Sequence, residues 1–171
     1  MARNQTNQNH LRLMRNLMLT LAAAGTLLLS ACDPSRVYEQ NVELPEKSWT
    51  VDNAPVFEFA ITDTTKRYNV YFNVRYSLAY DYYNLYLQHR LTAPDSSLVS
   101  STLTELHLMD AKTGKPEGKG SSDIYDMQSL ALKEIAFPQV GTYRLQLTQY
   151  MRRDPLPNIL SVGVRVEEAG N

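Results

Sequence analysis

Tyr68-Asn69-Val70-Tyr71-Phe72-Asn73-Val74-Arg75-Tyr76 is the clearest pattern in the chain. Tyr68, Val70, Phe72, Val74 and Tyr76 fall on one side of an extended backbone. Asn69, Tyr71, Asn73 and Arg75 fall on the other. A period of two marks a strand with one face in a core and one toward water.

The same alternation recurs on both sides. Leu85, Leu87, His89 and Leu91 alternate with Tyr86, Gln88 and Arg90. Tyr143, Leu145 and Leu147 alternate with Arg144, Gln146 and Thr148, and Leu160, Val162, Val164 and Val166 with Ser161, Gly163 and Arg165. Shorter strands are expected at 56–61 and 130–137, and a longer one at 98–109. Turn chemistry separates them: Asp63-Thr64-Thr65-Lys66, Ala93-Pro94-Asp95-Ser96-Ser97, a Gly- and Pro-containing hairpin loop over 110–122, and Pro155 with Pro157. Ile124 to Gln128 reads as one helical turn. Connections this short pair strands antiparallel, because parallel crossovers need a dozen residues or more. The expectation is an all-β chain: a single antiparallel β-sandwich, jelly-roll or immunoglobulin-like, over 49–168, with a tail at 169–171. Trp49, the lone tryptophan, reads as the first core anchor or as a lid over one end.

Ahead of the sandwich the chain changes character. Arg12 and Arg15 precede an apolar run, Leu17 to Leu29, of about thirteen residues, short for a bilayer span and suited to a signal-peptide core. Leu29-Ser30-Ala31-Cys32 follows, and Cys32 is the sole cysteine. This resembles the lipobox of bacterial lipoproteins. The resemblance implies cleavage after Ala31, so that 1–31 is a signal peptide, and acyl chains on Cys32 that hold the protein to a membrane. Three chains at about 0.8 kcal/mol per buried methylene would make that anchoring permanent. Met14 is an alternative start to Met1. Residues 32–48, with Pro34 and Pro45, read as a lipid-anchored tether with a short extended candidate near 37–42. From Asp33 to Trp49 it would reach at most about 55 Å.

Charge and composition narrow the function. The whole chain has a net charge of −1, and Arg3, Arg12 and Arg15 are the only charged residues ahead of Cys32, so the part beyond it stands at −4. That balance argues against nucleic acid, whose affinity comes from neutralised phosphates. With its one cysteine acylated, the domain has neither an internal disulfide nor a thiolate nucleophile. Sequence signatures for nucleophile elbows, zinc helices, phosphate loops and calcium loops are lacking. His89 and His107 sit on different strands and read as hydrogen-bonded strand histidines. Glu58, Glu105 and Glu134 are scattered, with nothing to bring two of them to a glycosidic bond. The reading is a non-enzyme without cofactor or metal.

Seven of the eleven tyrosines lie between Tyr68 and Tyr86. Tyr71, Tyr80, Tyr82, Tyr83 and Tyr86 are the candidate binding surface, because exposed tyrosines offer flat apolar area at low entropic cost to a protein or a sugar ring.

The order of several short stretches also resembles a known family. These are Cys32-Asp33-Pro34-Ser35-Arg36-Val37-Tyr38, Trp49, the Tyr68–Arg75 strand, Asn84-Leu85-Tyr86-Leu87, Phe137-Pro138-Gln139-Val140-Gly141-Thr142-Tyr143 and Tyr150-Met151-Arg152. Together they resemble the GldH gliding-motility lipoproteins of the Bacteroidota. The resemblance implies an envelope lipoprotein accessory to gliding or associated secretion machinery, with protein partners and no catalytic residues to carry over. The alternative is a carbohydrate-binding lipoprotein of a glycan-uptake system. Asp33 after the cysteine resembles an inner-membrane retention signal of enteric bacteria, a rule that need not hold here. The acidic run that tends to accompany surface export is missing, because Arg36 follows Pro34 and Ser35. The expected location is the outer membrane, facing the periplasm.

Overall fold

A computed structural model describes residues 33–170. The signal segment and Cys32 lie outside the described residues, and the compact β unit begins at Ser35. Its strands are β1 (Arg36–Glu43), β2 (Ser48–Trp49), β3 (Val56–Ile61), β4 (Arg67–Ser77), β5 (Asn84–Thr92), β6 (Leu98–His107), β7 (Lys119–Ser121), β8 (Ile124–Ala136), β9 (Gly141–Gln149), β10 (Leu156–Pro157) and β11 (Ile159–Glu168). A 3-10 turn at Pro45–Lys47 is the one helical element among the described residues.

Five strands form one sheet in the order β1-β11-β4-β8-β7, and four form the other in the order β3-β9-β5-β6. β2 and β10 make a separate two-stranded ribbon. Setting aside the three shortest strands, the pairing is nested: β1 with β11, β3 with β9, β4 with β8, β5 with β6, all antiparallel. That nested ribbon, rolled into two sheets, is the jelly-roll arrangement rather than the immunoglobulin-like one.

The core is built from the alternation read in the sequence. Tyr68, Val70, Phe72, Val74 and Tyr76 are buried, as are Leu85, Leu87, His89 and Leu91 from the facing sheet. Trp49 is fully buried beside Leu156, and its indole N–H donates to the Asn53 carbonyl at 2.8 Å. At the end where β1 starts, Phe137 meets Tyr143 edge-on with ring centres 4.6 Å apart, and Phe59 and Tyr68 pack against Phe137 at 5.8 and 5.4 Å. The Tyr143 hydroxyl donates to the Gln139 carbonyl at 2.9 Å and accepts from the Gln139 N–H at 3.1 Å. Gly141 has φ +135, and a Cβ there would come 2.8 Å from Pro94 Cγ. The Phe137–Tyr143 stretch is therefore a structural corner: its aromatics fill the core and its glycine permits the turn.

Two expectations give way. The tether 32–48 is mostly sheet: β1 pairs with β11 from Arg36↔Glu167 to Glu43↔Ser161, and only Asp33–Ser35 precede it. The Ser35 carbonyl already accepts from the Glu168 N–H at 2.8 Å. As an edge strand, β1 turns few side chains inward, with Tyr38 and Val42 packing on the core, so its apolar signal is weak. Likewise Ile124–Gln128 is not a helical turn but the start of β8, with Tyr125 and Met127 facing the core. Part of the 110–122 loop also pairs, as β7.

Candidate functional site

The five candidate tyrosines do not share one surface. Tyr80 is buried, 4% exposed, so it is not part of a binding face. Its hydroxyl donates to the Asn84 carbonyl at 3.0 Å, and burial pushes its pKa well above the ordinary value. A connecting loop in the sequence does not reveal which of its side chains folds inward. Tyr71 lies on the outer face of the five-stranded sheet, opposite Arg165 and Leu130. Tyr86 lies on the outer face of the four-stranded sheet, opposite Glu105.

Tyr82, Tyr83 and Tyr86 do gather, at the end of the sandwich away from the start of β1. Tyr83 is 46% exposed, and its carbonyl accepts from the Leu108 and Met109 N–H groups at 2.8 and 3.0 Å, which fixes the β4–β5 connection to the end of β6. Its ring lies 6.1 Å from that of His107, tilted by 36°. Tyr82 packs edge-on against the buried Tyr80 at 5.6 Å. Tyr150, which surface reasoning did not single out, joins them: it is 63% exposed, and its N–H donates to the Tyr86 carbonyl at 2.8 Å. The pairing of β9 with β5, which ends at Leu87↔Gln149, brings it there. Glu105 ties the patch together. It accepts from Asn84 Nδ2 at 2.7 Å and lies 3.5 Å from His107 Nε2. These contacts, Asn84 first, hold its carboxyl below the usual range, and its hydrogen bond raises the Tyr86 hydroxyl.

His89 and His107 lie on neighbouring strands but opposite faces. His89 is buried against Phe72, 5.6 Å between rings, with Nε2 2.8 Å from Ser100 Oγ. No cluster of three metal-ligating side chains occurs among the described residues. Glu58 pairs with Arg144 at 3.3 Å, and Glu134 faces water beside Lys133. The outer face of the five-stranded sheet holds a groove of about 830 Å³, across which Gln128, Asn73 and Asn41 are linked side chain to side chain.

Residues 36–166 match the model of a family described as GldH lipoprotein. The chain belongs to that family. A GldH homolog from Christiangramia forsetii, a gliding motility lipoprotein, is 30% identical over 152 residues, covering 85% of this chain and 91% of its own. The gliding motility lipoprotein GldH of Flavobacterium johnsoniae is 27% identical over 165 residues, covering 92% and 99%. An arabinose-bound α-L-arabinofuranosidase overlaps at TM-score 0.37 and 11% identity, over 80% of this chain and 21% of that one. A likeness that low carries no argument. GldH membership makes the protein a gliding-motility-associated lipoprotein of the cell envelope. The GldH match begins at Arg36, where β1 begins.

Proposed function

We propose that this GldH lipoprotein is a non-enzymatic binding module, lipid-anchored through Cys32 and accessory to the motility or associated secretion machinery. The observation that carries the reading is the tyrosine patch formed by Tyr82, Tyr83, Tyr86 and Tyr150. Tyr83 and Tyr150 are its most exposed rings, and His107 and Glu105 lie beside Tyr83 and Tyr86. Exposed aromatic area beside a carboxylate and an imidazole suits a protein partner.

The anchor gives the patch a direction. Asp33–Ser35 span about 10 Å at most, so acyl chains on Cys32 hold the β1 end of the domain near the headgroups. β4, eleven residues long, runs about 35 Å from that end to the tyrosines. The patch is thereby presented away from the bilayer, and the lack of an acidic run after Cys32 supports a periplasmic rather than a surface-exposed location at the outer membrane.

A photo-crosslinking residue at Tyr83 or Tyr150, in living cells, tests this. Both positions should yield a discrete crosslinked envelope protein, while Thr64, at the opposite end, should not. Equal labelling at all three, or none, would overturn the reading. Protease added to intact cells should leave the domain whole and should digest it after permeabilisation.

A further inference from the structure

We propose that the groove over β1, β11, β4 and β8 docks an extended polypeptide segment bearing lysine or arginine side chains. This rests on the protein-binding reading and assigns it a second surface, separate from the tyrosine patch.

The groove is a built feature of the sheet. Gln128 Nε2 donates to Asn73 Oδ1 at 2.9 Å, and Asn73 Nδ2 donates to Asn41 Oδ1 and Glu39 Oε1, each at 3.3 Å. Asn41 and Asn73 are on β1 and β4, with β11 between them. The row closes only because β11 contributes Gly163 at that register: a Cβ on Gly163 would collide with Asn41 Oδ1 and come 2.5 Å from the Gln40 carbonyl.

The row leaves hydrogen-bonding capacity toward the groove. The donors of Asn41 and the carbonyl of Gln128 have no partner among the described residues. Ser161 lines the floor at 5% exposure, and its hydroxyl likewise bonds to no described residue. Amide donors, amide acceptors and a hydroxyl in one row match the alternating N–H and C=O groups of an extended backbone. Four strands at about 4.8 Å spacing give a breadth of about 14 Å, room for one such chain with its side chains.

Charge selects the segment. Arg75 pairs with Asp126 at 3.1 Å, and Glu39 with Arg165 at 3.0 Å. Glu43 and Glu117 line the groove without an ion pair, against the single unpaired ammonium of Lys119. The surplus is negative, and cationic side chains would neutralise it. No aromatic ring lines the groove, so the stacking platform of a sugar site is lacking.

The test uses the mature protein purified in detergent. Random twelve-residue peptides displayed on phage are selected on it, and an array of bacterial and host oligosaccharides is probed in parallel. The peptides recovered should be rich in Lys and Arg, and their affinity should fall at least tenfold in Glu43→Gln/Glu117→Gln. Gln128→Lys, an exposed change that puts a repelling ammonium in the groove, should weaken them too, and Thr64→Lys should not. Circular dichroism confirms that each variant is folded. Peptides that ignore the groove variants overturn this inference and leave the protein-binding reading standing. Failure to recover peptides, with or without oligosaccharide binding, overturns this inference, while the protein-binding reading falls only if crosslinking at Tyr83 and Tyr150 fails.

Discussion

The side chain of Asn41 lies across the bare Cα of Gly163, one strand away. Adding a single methyl group there would displace the Asn41 amide and press on the Gln40 backbone at 2.5 Å. Gly163→Ala should therefore cost about 1–3 kcal/mol, the range for overpacking a tight site. The combination Gly163→Ala/Asn41→Ala should recover only part of that loss, because the Gln40 carbonyl belongs to the main chain. Urea denaturation of the parent, Gly163→Ala, Asn41→Ala and the double variant measures it. Full recovery would show that the β1–β11 pairing yields more easily than its geometry implies.

Phe72 and Asn73 are neighbours on β4 that face opposite ways. Phe72 is fully buried, and truncation to alanine should cost about 3–5 kcal/mol. Asn73 is half-buried in the amide row, and Asn73→Ala should cost under about 1.5 kcal/mol, the scale of a few solvated hydrogen bonds. Equal losses in chemical denaturation would refute the assignment of faces.

His89 should make stability fall in mild acid. Burial pushes its pKa below the ordinary 6.5, and Nδ1 is buried without a partner. Above neutrality the ring is unprotonated in both states and contributes no pH dependence. As pH drops below about 6.5 the unfolded chain takes up a proton that the folded chain resists. Stability is then lost at up to about 1.4 kcal/mol per pH unit, until pH reaches the lower folded-state pKa. Urea midpoints at pH 7.5 and pH 5 should differ, and His89→Gln should reduce the difference. An unchanged difference would assign the effect to other groups.

A fragment beginning at Ser48 should be markedly less stable than one beginning at Asp33, because it lacks β1 and leaves one edge of β11 unpaired. Thermal melting of the two decides this. If residues 33–47 were only a tether, the curves would coincide.

Cys32→Ser should abolish incorporation of radioactive fatty acid, since no thioether can form. Label persisting on the serine variant would place the lipid elsewhere.

The sandwich was legible because β4, β5, β9 and β11 are inner strands or face a deep core, so burial imposes strict alternation on them. Phe72, Leu87, Leu145 and Val164 all sit where the period put them. β1 was not legible. It is an edge strand whose stability comes from backbone pairing with β11, more than a hundred residues away, and that leaves little mark on its own residues. The same separation hid the groove, whose Asn41, Asn73, Gln128 and Ser161 come from four strands brought together only by the nested pairing. Tyr80 and Tyr150 show the converse limit. Both are loop tyrosines of similar local context, yet the fold buries one and exposes the other.

The nested pairing also orders events during export. A chain threaded amino-terminus first delivers β1 at once, but β1 has no neighbour in its own sheet until β11 arrives. β4 likewise waits for β11 on one side. Half of the sandwich must remain open until Ile159–Glu168 has crossed, with Phe72 and the valines of β4 in contact with solvent or with a holding chaperone. Losing β11 would thus deprive two strands of their partner instead of trimming an end, and quality control should clear such a product whole rather than tolerate a shortened domain.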